Sequence, residues 1–122
     1  MAAACEGASS SGGLSVGLLP GRDRAAGNPY LSVVLPTGLG ELRNGLVVGV
    51  CDAVIAIGGS WGTLSEIALA RRTAKRTIVI GGWNVEDPSH DRAADFDRAS
   101  SAEEAVDAAL SPATRRGESR SI

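Results

Sequence analysis

The stretch from Asp52 to Glu66, DAVIAIGGSWGTLSE, constrains this chain more than any other. Ala53, Val54, Ile55, Ala56 and Ile57 form an unbroken apolar run that stops at Gly58-Gly59. An apolar run without polar alternation suits a strand buried on both faces, as in a parallel sheet. Gly58, Gly59 and Gly62 then predict a tight turn in which backbone N–H groups can approach a ligand closely. Thr63-Leu64-Ser65-Glu66 reads as the opening of a helix, with Thr63 as N-cap and Glu66 at the third helical position. Strand, glycine turn and helix start in succession make an anion site, because unpaired N–H groups and the positive end of the helix dipole face one point.

With 122 residues the chain supports one domain. Aromatic residues make up only 3%, so the core must be built from Val, Ile, Leu and Ala. A net charge of −2 gives no basic footprint for nucleic acid. Cys5 and Cys51 lie far apart outside any CxxC pattern, and His90 is the only histidine, which argues against a zinc site. Two isolated cysteines fit a reducing cytoplasm. The Ala-rich start lacks a basic flank, and no segment approaches the ~20 apolar residues of a membrane helix.

Residues 2–8 predict a helix ended by Gly12-Gly13. Residues 14–19 and 31–35 predict strands, joined by a polar link of residues 20–30 that is short for a parallel crossover. Leu39, Leu42, Leu46 and Val50 recur at helical spacing and predict a buried face, with Gly45 and Gly49 allowing close packing on a neighbour. Leu64, Ile67 and Ala68 are the expected inward residues of the helix after the glycine turn. Residues 77–80 predict a further strand ending at Gly81-Gly82, and 84–100 a mobile polar loop in which His90 is solvated. Residues 101–110 predict a last helix with Ser101 and Glu104 as its capping box and Ala105, Val106, Ala109 and Leu110 as its apolar stripe. The polar tail 111–122 reads as disordered. Strands alternating with helices give an α/β fold with a mostly parallel sheet, whose ligands bind outside the carboxyl ends of the strands.

GGSWGTLSE resembles the GGxGT-x-x-E motif of the LOG ("lonely guy") phosphoribohydrolases, long described as lysine decarboxylase-like. PTGLGELRN, CDAVIAIGGSWGTLSEIALA and the Lys75-Arg76 strand ending in GGW are similar to the molybdenum cofactor carrier proteins and the DprA/Smf-related Rossmann-like group. The resemblance spans roughly residues 1–110 and implies a Rossmann-like three-layer fold. From residue 43 to residue 66 is 23 positions, the separation of the functional Arg and Glu in LOG enzymes. Ile57 and Asn44 stand where LOG enzymes carry Pro and Lys, which points toward the carrier-like branch. Met1 to Ala8 is similar to the middle of the family's second helix. The resemblance therefore implies truncation at the N-terminus, with absent central strands lying between those of residues 14–19 and 31–35, and a partial binding domain over 1–110.

The residues expected to hold a small phosphorylated ligand are Thr37, Gly38, Arg43, Asn44, Gly58, Gly59, Ser60, Trp61, Gly62, Thr63 and Glu66. The ligand implied is a nucleotide or the molybdenum cofactor. Arg43 is either a solvated early-turn arginine or a fork of donors clamping a phosphate. Glu66 is either a capping-box partner or a carboxylate facing a ribose. Trp61 either stacks on a flat heterocycle or packs at the domain surface or a dimer contact. Arg43 and Glu66 would be catalytic only if the chain were a hydrolase of nucleoside 5′-monophosphates; an inactive fragment is the third reading. The resemblance further implies a homo-oligomer assembled through helix faces, with neither nucleic acid nor membrane as partner.

Overall fold

The computed structural model describes residues 1–86, 88 and 97–111. Two units divide the chain, Met1–Gly49 and Val50–Ile122.

The first unit opens with helix α1 (Ala2–Ser10). It closes with Gly12 in a left-handed conformation at φ 75°, while Gly13 N–H reaches the Ala8 carbonyl at 2.7 Å and Gly12 N–H the Ser9 carbonyl at 3.0 Å. This pair of bonds is the Schellman termination that glycine favours. Strands β1 (Val16–Leu19) and β2 (Val33–Pro36) follow. They pair in parallel, with Val16 opposite Val33 and Leu19 opposite Pro36. In this chain the two strands are therefore direct neighbours. β2 begins two residues later than the sequence predicted, so the link runs over residues 20–32. That length, about a dozen residues, suffices for a parallel crossover. The link carries a single 3-10 turn, Arg24–Ala26, capped by the Asp23 carboxylate on Ala25 N–H at 2.9 Å.

A second 3-10 turn, Gly40–Leu42, leads into α2 (Arg43–Val50). Here the predicted buried stripe is overturned. The buried residues of α2 are Asn44 and Val48, whereas Leu42 is 76% exposed, Leu46 41% and Val50 74%. The α-helix starts only at Arg43, and the tighter 3-10 turn before it breaks the 3.6-residue register that placed Leu39 and Leu42 on one line with Leu46. The Arg43 guanidinium ties the start of the helix to β1 by donating to the Leu18 carbonyl at 3.0 Å. Among the described residues Gly45 and Gly49 serve no close packing, since a Cβ on either would meet no atom within 4 Å.

In the second unit β3 (Ala53–Ile57), β4 (Arg76–Ile80) and β5 (Asp97–Ala99) form a parallel sheet in that order. β4 lies in the middle, with Ala53 opposite Arg76 on one side and Ile78 opposite Asp97 on the other. Its Thr77, Ile78 and Val79 are all buried, as a continuous apolar strand between two layers requires. Helix α3 (Trp61–Arg72) covers one face through Ile67, which joins Ala56 and Val79 in a cluster against which Trp83 packs. Helix α4 (Ala102–Leu110) covers the other through Ala105, which joins Ile78 and Ala99, with Ile80, Ala108 and Ala109 around them. Full burial of a side chain the size of Ile67 or Ile78 contributes about 1.5–3 kcal/mol. This helix–sheet–helix order is the three-layer α/β arrangement.

β5 is an element the sequence hid: Asp-Arg-Ala carries no apolar run, and the stretch 84–100 reads as loop. The rest of that stretch is irregular where it is described, at 84–86 and 88; His90 and the tail beyond Ser111 lie outside the described residues. The inward residues of α3 are Ile67 and Ala70 rather than Ala68, which is exposed, with Leu64 half-buried. On α4, Val106 and Leu110 of the predicted stripe are exposed as well.

Candidate functional site

At the carboxyl end of β3 the chain leaves the sheet through Gly58, whose φ of 90° only glycine adopts without strain. Gly58 N–H still bonds the Ile80 carbonyl of β4 at 3.3 Å. The matching turn after β4, Gly81-Gly82, lies against it: a Cβ on Gly82 would overlap the Gly58 carbonyl oxygen. Two glycine turns thus meet backbone to backbone above adjacent parallel strands. Only the absence of side chains permits that approach.

Ser60, not Thr63, caps α3. Its hydroxyl oxygen accepts from Thr63 N–H at 3.1 Å and lies 2.9 Å from the Thr63 hydroxyl, while its carbonyl accepts from Leu64 N–H at 3.1 Å. The helix therefore begins at Trp61, three residues before the expected start. Serine is a stronger N-cap than threonine, and Gly62 is tolerated because it falls in the first turn rather than the interior. One consequence concerns Glu66. It sits in the second turn of α3, beyond the third helical position from which a carboxylate reaches back to the cap, so its capping-box reading falls away. The side chain is half-buried. The amides of Trp61 and Gly62, in the first turn, have no intrahelical acceptor, as the first N–H groups of any helix do not.

The sequence motif misses one residue of this corner, Trp83. It follows Gly82, and its indole N–H donates to the Ser60 carbonyl at 2.8 Å. Its ring lies 4.9 Å from that of Trp61, tilted by 48°. Arg98 of β5 in turn donates to the Trp83 carbonyl at 2.8 Å. The signal was present in GGW, whose tryptophan directly follows the glycines that end a strand.

The second unit thus gathers Gly58, Gly59, Ser60, Trp61, Gly62, Thr63 and Glu66 onto one turn and the first two turns of one helix. The remaining expected residues belong to the first unit, around the carboxyl end of β1. The Thr37 hydroxyl donates to the Leu19 carbonyl at 2.6 Å and accepts from Leu39 N–H at 3.2 Å. Gly38, at φ 66°, donates its N–H to the Gly21 carbonyl at 2.9 Å. Arg43 is half-buried on the Leu18 carbonyl rather than solvated, and its Nε is a buried donor with no hydrogen-bond partner among the described residues. Asn44 is buried in α2. Thr37, Gly38 and one arm of Arg43 are therefore spent on bracing the end of β1.

A parallel α/β sheet with glycine turns at the carboxyl ends of its strands, the first running into a helix start, defines a Rossmann-like α/β fold. The chain belongs to the SLOG cluster4 family, which its residues 1–112 match. It is 40% identical over 91 residues to an uncharacterized protein of Archaeoglobus fulgidus, a match covering 70% of this chain and 60% of that protein. The crystal structure of TM1055 resembles it with a TM-score of 0.71 and 35% identity, over 84% of this chain and 66% of the other. The molybdenum cofactor binding protein of the phototrophic bacterium Rippkaea orientalis resembles it with a TM-score of 0.72 and 32% identity, over 85% of this chain and 65% of the other. The chain thus spans less than two thirds of the length of each of these relatives. Among the described residues no helix is long and apolar enough to cross a membrane.

Proposed function

We propose that this chain binds a phosphorylated heterocycle, a nucleotide or a molybdopterin-type cofactor, at the Gly58–Glu66 turn, and acts as a carrier of it. The observation that carries this reading is the start of α3. A twelve-residue helix starts at the carboxyl edge of a parallel sheet, directly after the Gly58-Gly59 turn, with Trp61 and Gly62 amides that have no intrahelical acceptor. The similarity to a molybdenum cofactor binding protein supports the choice of ligand class. The Trp61 and Gly62 amides at the start of α3 suit the phosphate of such a cofactor. Thr37, Gly38, Arg43 and Asn44 shape the loop at the end of β1 in this reading. The protein works in the cytoplasm as a homo-oligomer.

Gly62→Ala tests the reading. A Cβ there meets only the Ser60 hydroxyl at 3.8 Å, so the fold accommodates it and gains up to about 1 kcal/mol of helix propensity. A phosphate resting on the Gly62 amide would meet the new methyl. Calorimetric titration with ribose 5-phosphate should show at least about ten-fold weaker binding for the variant, roughly 1.4 kcal/mol. Unchanged affinity, or no binding by the unsubstituted chain, rejects the site.

A second reading, hydrolysis of the N-glycosidic bond of nucleoside 5′-monophosphates, draws support from Glu66, which the Ser60 cap leaves outside the capping box. In it Glu66 orients water or stabilises charge at the anomeric carbon. Incubation with AMP separates the two readings. Release of adenine that Glu66→Ala abolishes indicates the hydrolase; retained AMP without turnover indicates the carrier.

A further inference from the structure

We infer that the Trp61–Trp83 pair is a stacking platform that selects a fused, flat heterocycle as the ligand's organic part, with Trp61 as the contact face and Trp83 as the residue that positions it. The inference rests on the reading of the Gly58–Glu66 turn as the ligand site and adds the part of the ligand that the turn itself cannot recognise.

The chain contains two tryptophans among very few aromatics, and the fold brings both to this corner. Folding explains Trp83: its ring packs on the Ala56–Ile67–Val79 cluster and its N–H is satisfied by Ser60. Folding does not explain Trp61. It is 76% exposed at the first position of α3, where it supplies no core contact and where better helix formers exist. The ring is nonetheless not left loose. Trp83 supports it at 4.9 Å, Trp83 is tied to the Ser60 carbonyl one residue before Trp61, and Arg98 pins the Trp83 backbone from β5. The rings are tilted by 48° rather than stacked face to face, and Trp61 stays largely exposed beside its neighbour. A held, open indole beside two unpaired amides offers an apolar face and an anion site within one turn of helix. A flat heteroaromatic carrying a phosphate meets both demands, whereas a purely apolar protein surface would bury those amides without acceptors. Stacking on an aromatic side chain is worth about 1–3 kcal/mol per base, so the platform accounts for a substantial part of the affinity.

Both tryptophans lie in the pair, so the indole emission of the full chain reports on this corner alone. Titration with AMP and with adenosine should quench it, and ribose 5-phosphate should not. In calorimetry Trp61→Ala should weaken AMP by about ten-fold or more and Trp61→Phe by less, while ribose 5-phosphate keeps its affinity within about two-fold. The remaining Trp83 emission verifies that Trp61→Ala folds. Neopterin in place of adenosine tells a pterin preference from a purine preference. The inference is overturned if neither adenosine nor AMP quenches, if Trp61→Ala binds AMP as the unsubstituted chain does, or if its main effect is on the oligomeric state, which would make Trp61 a contact between copies. Failure of the turn reading looks different: ribose 5-phosphate then fails to bind even with Trp61 in place.

Discussion

Ala74 shows what a single side chain can cost. Helix α3 ends as α1 does: Lys75 N–H reaches the Ala70 carbonyl at 2.9 Å and Ala74 N–H the Arg71 carbonyl at 3.1 Å. The residue that must turn left-handed is Gly12 after α1 but Ala74, at φ 57°, after α3. A Cβ in that conformation costs roughly 1–2 kcal/mol, and glycine returns some of the gain through its more flexible unfolded chain. Ala74→Gly should therefore stabilise the protein by about 0.5–1 kcal/mol, read as a higher urea midpoint at unchanged slope. A lower midpoint would mean that the strain is absorbed elsewhere. At Gly82 the logic is reversed. There a methyl group would run into the Gly58 carbonyl, and no neighbouring side chain can move aside to make room.

At the scale of elements, the caps decide where helices begin and what their charges do. The Ser101 hydroxyl accepts from Glu104 N–H at 3.1 Å, as the sequence predicts for α4. The reciprocal arm lands one residue earlier, with the Glu104 carboxylate accepting from Ser100 N–H at 2.9 Å and from its hydroxyl at 2.7 Å. The backbone bond first, then the hydroxyl bond, hold the Glu104 pKa below the ordinary carboxylate value. A carboxylate whose folded pKa is depressed stabilises the fold above its unfolded pKa, and that contribution is lost as pH falls through the folded one. The stability of the unsubstituted chain should exceed that of Glu104→Gln at neutral pH. The gap should narrow through the carboxylate range and close below the lowered pKa of Glu104, as followed by denaturant unfolding at a series of pH values. The difference is small, because the carboxylate is exposed and solvent screens it. A gap constant with pH would show that the bonds to Ser100 do not favour the charged form.

For the whole molecule, α2 carries the consequence. Leu42 and Leu46 lie exposed beside Gly45 and Gly49, so the start and outer side of this helix carry a contiguous apolar strip with little side-chain relief. Such a strip is where the proposed homo-oligomer would form, since small residues let a facing helix approach closely. Leu46→Glu should shift the protein to a smaller species in light scattering without changing its far-ultraviolet circular dichroism. An unchanged mass would place the contact on another surface.

How much of this was legible beforehand depended on whether the information was local. The β3 run, the Gly58-Gly59 stop, the α4 cap and the alternation of strands and helices follow from side-chain shape, hydrogen bonding and φ preference within a few residues, so the linear order carried them. The family motif was legible for the same reason, since it is itself a local strand–turn–helix unit. Helix faces and strand neighbours were not. The buried side of α2 goes with a helix start at Arg43 that is tied to the end of β1, the pairing of β1 with β2 with where the crossover closed, and the place of polar β5 with backbone pairing to β4. The approach of Trp83 to Trp61 was settled by the meeting of two glycine turns that stand more than twenty residues apart in the chain. Contacts of that range depend on which surfaces remain to be covered once the strands are in register, and only the tertiary structure decides that.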